Sequence, residues 1–161
     1  MKTKIQIKHY VTGNIIFELE KENNTLVDTI HEANLRGANL IGARNADYAQ
    51  AQTYIVPEGS IIGWKLCADN ILVKLRIPEE AKRSNATGRK CRAEFADVLE
   101  MIDLKDKRKK VTEAVSKHDS TFKYVLGKRA TPKEKWDDNR WEECTSGIHF
   151  FITQIEAEKY V

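Results

Sequence analysis

Several features are missing from this sequence, and each absence excludes a class of protein. No apolar run approaches the roughly 18 residues that a membrane-spanning helix needs. The N-terminus, "MKTKIQIKHY", alternates polar and apolar residues, so it lacks the apolar core of about 7–15 residues of a secretory signal. The three cysteines, Cys67, Cys91 and Cys144, include no C-x-x-C pair, which excludes a zinc ribbon and a thioredoxin-type motif. We therefore expect a cytoplasmic protein with reduced thiols.

Motifs of catalysis are missing as well. A P-loop needs glycine, four residues, then Gly-Lys-Ser/Thr, and the stretch "SNATGRKC" (residues 84–91) lacks the first glycine and the final hydroxyl. No pair of carboxylates stands isolated in an apolar setting, so acid–base hydrolysis has no visible signature. We expect no cofactor and no metal ion, and a binding function rather than an enzymatic one.

Positive charge is present and is unevenly distributed. The chain of 161 residues has a net charge of +3, but residues 82–110 alone carry ten Lys or Arg against five Asp or Glu. A local positive field of this kind favours anionic ligands. The alternative is a charged face that only contacts water, as most charge runs do.

The centre of this basic region is the stretch "RSNATGRKCRAEFADV", residues 83–98. Arginine offers a planar fork of donors that suits phosphate, and lysine adds a point charge. Gly88 lets backbone N–H groups approach an anion closely. The alternative is a structural loop whose arginines pair with Glu79, Glu80 or Glu94. The candidate ligand-binding residues are Lys82, Arg83, Thr87, Arg89, Lys90 and Arg92, with Trp64 or Trp141 stacking on a base and His149 at the pocket edge.

Two further chemistries compete with anion binding. Cationic neighbours could activate the Cys91 thiol, with His149 or His118 as the base. In strand register, however, Cys91, Ala93 and Phe95 share one face, which is typical of a core. Cys144 and His149 have a C-x4-H spacing, but structural zinc needs four ligands, usually in close pairs.

The periodicity predicts mostly strands, with helices near both ends. Residues 3–20 alternate as a β-hairpin. Asn24 or Thr25 can cap the helix that follows, and Asp28 stands three residues after Thr25, as in a capping box. Residues 60–77 predict two strands that join at a tight turn, Asp69-Asn70. A second capping box, Thr153 with Glu156, predicts a short C-terminal helix.

A five-residue period occupies the segment "ANLRGANLIGARNADYAQAQ", residues 33–52. Ala33, Ala38 and Ala43 recur at this spacing, with Leu35 and Leu40 two places later. The pattern resembles the pentapeptide-repeat family, in which four units make one square turn of a right-handed β-helix. The resemblance implies at most about one coil here, which excludes a long rod that mimics DNA.

These elements predict an α+β fold with two parts. Residues 1–56 would form a β-hairpin and helix followed by the short, degenerate pentapeptide-repeat coil. Residues 57–161 would form a compact, mostly antiparallel β domain that ends in the short helix. The boundary is placed at "QTYIVPEGS", residues 52–60, where proline and glycine interrupt the regular pattern.

Blocks such as "VKLRIPEEAKRS", "RKCRAEFADVLEM" and "ECTSGIHFFITQIEAEKY" are similar to a domain of unknown function that follows pentapeptide repeats in bacteriophage proteins. The resemblance implies a phage origin but no activity. We hypothesise a non-catalytic protein that sequesters an anionic host nucleotide or nucleotide signal and so blunts host defence. The alternatives are a protein–protein inhibitor of a host enzyme, a nucleotide-processing enzyme and, less favoured, a nucleic-acid-binding protein. Self-association stays open, and no membrane partner is expected.

Overall fold

The computed structural model describes residues 1–9, 12–33 and 51–160. Within these ranges the strands form four small sheets, and every strand pair is antiparallel. Over the same ranges, no helix combines the length and the apolar character that crossing a membrane requires.

The N-terminal elements pack against one another. Strands β1 (Lys2–Lys8) and β2 (Ile15–Glu22) pair so that Ile5 lies opposite Leu19 and Ile7 opposite Phe17. Helix α1 (Leu26–Glu32) follows and contacts both strands.

Thr25 and Asp28 form the predicted capping box at the start of α1. The backbone N–H of Asp28 donates to Thr25 Oγ1 at 3.2 Å, and that of Thr25 donates to Asp28 Oδ2 at 3.0 Å. The Thr25 hydroxyl, which donates to Asp28 Oδ2 at 2.6 Å, then the ammonium of Lys21 and the Thr25 N–H lower the pKa of Asp28 to about 2.

The central sheet has four strands in the order β10-β7-β4-β3. Its strands are β3 (Ile61–Leu66), β4 (Ile71–Ile77), β7 (Ala96–Asp103) and β10 (Arg129–Ala130). Between β3 and β4, Asp69 and Asn70 adopt φ values of 55° and 59°, which confirms the predicted tight turn. This left-handed backbone is one that Asp and Asn adopt more readily than most residues.

A three-stranded sheet lies beside it, in the order β11-β6-β5. Its strands are only three residues long: β5 (Arg83–Asn85), β6 (Cys91–Ala93) and β11 (Ile148–Phe150). An antiparallel bridge from Phe151 to Trp64 joins the chain after β11 to β3. Strands β8 (Glu113–Val115) and β9 (Lys123–Val125) form a separate pair.

Helix α2 (Gln154–Lys159) closes the chain and contacts β3. Thr153 and Glu156 form the predicted capping box at its start, with both reciprocal hydrogen bonds present. Its buried residue, Ala157, is fully covered.

The core lies between the two larger sheets. Leu75, Ile77, Ile148 and Phe150 are all at most 1% exposed. Gly63 permits this packing, since a Cβ at that position would collide with the Phe150 ring.

The predicted α+β class is wrong, because the described chain is β-rich, and the short helix α1 beside β1 and β2 does not make the predicted hairpin–helix unit of an α+β fold. An α+β fold needs helices that cover a sheet with an apolar face. The two α-helices described from end to end have 7 and 6 residues, which is about 10 Å of helix at 1.5 Å per residue. Helices of that length cannot form a layer, so small antiparallel sheets dominate.

The pentapeptide-like segment lies largely outside the described residues, and no coil is described. The predicted domain boundary between residues 56 and 57 stays a prediction. Several contacts cross it; for example, Asn85 Nδ2 donates to the Thr53 carbonyl at 2.7 Å, and Ile55 N–H donates to Asn85 Oδ1 at 3.0 Å. Val56, 3% exposed, belongs to the core.

Candidate anion-binding cleft

A cleft of about 290 Å³ opens where β3, the β8–β9 pair and the chain entering β11 meet. Its walls combine cationic, hydroxyl, imidazole and aromatic groups. The lining residues are Lys65, Ser116, His118, Asp119, Phe122, Tyr124, Pro132, Lys133, Glu134, Cys144, Thr145, Ser146, Gly147, Ile148 and His149.

Lys65 brings an amine into the inner wall of this cleft. In β3, Gly63 and Lys65 occupy the inward positions, and Lys65 is 8% exposed. Its Nζ donates to the His149 carbonyl at 3.2 Å and lies 6.0 Å from the centre of the Tyr124 ring. Among the described residues it forms no ion pair, and the carboxylates of Asp119 and Glu134, which also line the cleft, are not its partners. Burial lowers the pKa of Lys65.

His149 lies beside Lys65 in β11, between the buried residues Ile148 and Phe150. Its Nε2 is buried and has no hydrogen-bond partner within the described ranges. Burial, and then the positive charges of Lys90, Lys65 and Arg92, lower the pKa of His149 to about 3. The imidazole is therefore neutral at pH 7, and it can offer a hydrogen bond rather than a charge.

Lys90 adds positive charge next to this cleft. Its Nζ donates to Cys144 Sγ at 3.3 Å, and Cys144 is an exposed residue of the lining. The charged groups that shift the pKa of His149 are all cations, and no carboxylate shifts that of Lys65. The field at this end of the cleft is therefore positive, which favours an anion.

Two predicted ligand-binding arginines hold the main chain. The Arg83 guanidinium donates to the carbonyls of Gly59 at 2.6 Å, Pro78 at 2.8 Å and Glu79 at 3.0 Å. None of these acceptors is charged, so Arg83 joins two loops without neutralising an acid.

Arg92 is the more deeply buried of the two, at 2% exposed. It donates to the carbonyls of Ser146 at 2.7 Å, Asp137 at 2.9 Å and Asn139 at 3.0 Å. Its guanidinium stacks 4.2 Å from the centre of the Trp136 ring. Gly147 makes room for this side chain, because a Cβ there would come within 2.5 Å of Arg92 Cγ.

The other predicted residues are distributed around the surface and core. Arg89 Nε bonds Glu156 Oε1 at 2.5 Å, and Lys82 Nζ bonds Asp138 Oδ1 at 3.1 Å. Of the predicted ligand-binding residues, the structure thus places His149 in the cleft and Lys90 against it, and the others lie elsewhere. Ligand contact by these other side chains stays a prediction. Trp141 is 5% exposed beneath Arg140, Trp64 is half-buried under Lys74, and Thr87 is half-buried.

Comparison with known proteins assigns most of the chain to one family. A family model described as a family of unknown function (DUF5758) matches residues 51–157. The chain belongs to the DUF5758 family. This confirms the expected domain of unknown function, whereas it supports neither a pentapeptide-repeat assignment nor a phage origin. No curated protein matches the chain, and no solved structure matches it. All the cleft residues lie inside the DUF5758 match.

Lys65 is the DUF5758 residue that sequence reasoning missed. The strand "IIGWKLC" contains one signal, a lysine at an inward position of the alternation, two places after Gly63. Phe122 and Tyr124 carry no such signal, since aromatic residues in a strand are ordinary core residues.

In this DUF5758 chain, the burial of Cys91 indicates a structural residue and not a nucleophile. Cys91 and Cys67 are both fully buried, and burial raises their pKa to about 12 and about 11. Both thiols are therefore protonated at pH 7.

In the part of the chain that the structure describes, no cluster of three or more His, Cys, Asp or Glu could hold a metal ion.

Proposed function

We propose that the protein binds a small anionic ligand of the nucleotide class in the cleft and holds it without turnover. The observation that carries the proposal is Lys65, a buried lysine with no ion pair in the described ranges. A buried charge without a partner costs free energy, and an anionic ligand would offset that cost.

Two neighbours extend this anion site. Lys90, in contact with Cys144, provides a second cation, which is half-buried next to the cleft. His149 Nε2 provides an unused acceptor for a hydroxyl or amide N–H of the ligand. Lys90 was a predicted ligand residue and Lys65 was not. Anion binding is therefore the function that was predicted, but its main residue is Lys65 in the cleft.

The nucleotide class rests on the combination of groups and on size. Phe122 lines the cleft, is half-buried and packs edge-on against Tyr124 at 5.1 Å between ring centres. It offers apolar surface to a base, while the cations face the phosphate. The cleft volume of about 290 Å³ is at the lower end of the usual range for small-molecule sites, which favours a mononucleotide over a longer ligand.

A thermal-shift series with mono-, di- and cyclic nucleotides tests this proposal. A ligand at about 100 times its dissociation constant adds roughly 2.7 kcal/mol, which raises the melting temperature of a domain of this size by several degrees. Lys65→Gln should abolish the shift. Lys74→Gln is the matched control, since Lys74 is a lysine on the neighbouring strand whose Nζ lies over Trp64 instead of in the cleft.

Two outcomes would contradict the proposal: no shift with any nucleotide, or a shift that persists unchanged in Lys65→Gln. The released ligand is then identified by chromatography. Recovery of intact ligand supports sequestration, and recovery of a product would replace it with nucleotide processing. The phage origin and the anti-defence role are part of the proposal and rest on sequence resemblance alone.

A further inference from the structure

Lys65 differs from the exposed lysines of this protein in what surrounds its amine. Its residue is 8% exposed, whereas Lys82, Lys109 and Lys123 have side chains that are 56%, 63% and 54% exposed and each bonds a carboxylate. The only hydrogen bond that Lys65 Nζ donates within the described ranges goes to a neutral carbonyl, that of His149. No carboxylate therefore holds its proton in place.

We propose that Lys65 forms a reversible imine with an aldehyde or ketone carbonyl carried by an anionic ligand of the cleft. The inference rests on the proposed function, because the cleft first has to hold the anion. For a ligand that carries such a carbonyl, Lys90, beside the cleft, receives the anionic group, and Lys65, on the inner wall, faces the carbonyl carbon.

The surroundings of Lys65 raise the fraction of its amine that is neutral at a given pH, and the neutral amine is the nucleophilic form. Tyr124, 2% exposed, and Ile148, 1% exposed, shield this wall from water. The Lys65 pKa is lowered by burial and by the nearby charge of Lys90. These are the conditions under which a lysine reacts with carbonyl compounds near neutral pH.

The reaction balances without an oxidant or a reductant. The Lys65 ammonium first gives one proton to solvent. The free amine then adds to the carbonyl carbon, forming an N–C bond, and the carbonyl oxygen takes up a proton to give a carbinolamine. Loss of this hydroxyl as water forms the C=N bond, and hydrolysis reverses each step.

Pyridoxal 5′-phosphate is a suitable probe, because it joins an aldehyde to a phosphate. The protein is mixed with the probe, the imine is fixed with sodium borohydride, and the labelled lysines are identified by peptide mass spectrometry. We expect Lys65 to be labelled ahead of Lys74, by about tenfold for each unit by which its pKa is lowered. Adenosine 5′-monophosphate should slow the labelling of Lys65 and leave that of Lys74 unchanged.

Lys65→Arg separates this inference from the proposed function, since arginine keeps the positive charge and cannot form the imine. In this variant we expect the nucleotide thermal shift to be retained and the specific labelling to be lost. Labelling confined to exposed lysines, with a nucleotide shift still present, would overturn the imine and leave anion binding standing. Absence of both the nucleotide shift and the protection by nucleotide would overturn the proposed function itself.

Discussion

At the residue scale, three arginines hold the main chain with hydrogen bonds. Arg83, Arg92 and Arg140 each donate to at least two backbone carbonyl oxygens. A guanidinium has five N–H donors in a rigid fork, so one side chain satisfies several carbonyls that no sheet would pair. The irregular segment 134–147 depends on Arg92 for its position next to β6 and thus for the shape of the cleft wall.

Replacing Arg92 with lysine should destabilise the protein although the charge is kept. Lysine cannot reach three carbonyls in different directions, so half-buried acceptors lose their donors and the stacking on Trp136 is lost. We expect Arg92→Lys to lower the free energy of unfolding by about 2–4 kcal/mol, measured by urea denaturation.

Arg89→Lys is the matched control for this measurement. Arg89 is exposed and pairs with Glu156, so its replacement should cost less than about 1 kcal/mol. Equal losses of stability in the two variants would refute the role assigned to Arg92.

At the scale of elements, the β11-β6-β5 sheet is made of strands too short to be stable alone. Each has three residues, and the sheet is secured by packing against the central sheet rather than by its own hydrogen bonds. Phe150 packs against the central sheet at Gly63 of β3, so closely that a Cβ at Gly63 would overlap the Phe150 ring. This contact fixes the distance between β3, which carries Lys65, and β11, which carries His149.

Gly63→Ala should therefore force the two sheets apart. The added Cβ would overlap the Phe150 ring, and overpacking of this kind costs about 1–3 kcal/mol. Gly88→Ala is the control, because a Cβ there would meet only Glu143 Oε1 at 3.5 Å, an ordinary contact. Thermal unfolding measures both variants.

A double-mutant cycle with Phe150→Leu identifies the cause. If the collision with the ring is responsible, Gly63→Ala should cost less in the Phe150→Leu background than in the natural protein. An unchanged cost would show that the alanine acts through the backbone of β3 and not through the ring.

At the scale of the whole molecule, local patterns predicted local elements and failed on long-range contacts. The alternation of Ile71, Val73, Leu75 and Ile77 correctly predicted β4, and all four side chains are at most 5% exposed. The turn at Asp69-Asn70 and both capping boxes depend on neighbouring residues, so the sequence carried their signals. The fold class was wrong because it depends on how far each helix continues, which tertiary packing decides.

The candidate site was predictable in its chemistry and only partly in its residues. Lys90 and His149 were named from the sequence, but Arg83 and Arg92 had the same composition signal and instead bond carbonyls up to 54 residues away. A carbonyl is present at every residue, so no sequence pattern marks the one that an arginine will find. Lys65 was missed for the same reason, since burial of a lysine depends on what packs over its strand.

The molecule as a whole should lose stability on acidification, with His149 as a principal cause. The pKa of His149 is about 3 in the folded protein, against about 6.5 in an unfolded chain. Between these values the unfolded state binds a proton that the folded state does not, so stability falls as the pH decreases from about 6.5 toward about 3. Each pH unit in this window costs up to about 1.4 kcal/mol.

Urea denaturation between about pH 4 and pH 7 measures this slope. His149→Gln removes the titrating group, so the variant should show a shallower decrease than the natural protein. The decrease that is left comes from carboxylates such as Asp97, whose pKa is lowered by Arg129 and Arg76. Parallel curves for the two proteins would mean that His149 is protonated to the same extent in the folded and unfolded states.

The carbonyl partners of Arg83, Arg92 and Arg140 have a consequence for ionic strength. Dissolved salt screens the attraction between exposed charges, with a screening length of about 10 Å at 0.1 M. It weakens a buried hydrogen bond to a neutral oxygen far less. The loops that these arginines hold should stay in place in concentrated salt. Because the anions of the salt compete with a ligand for Lys65 and Lys90, concentrated salt should displace the ligand from the cleft while the protein around it keeps its fold.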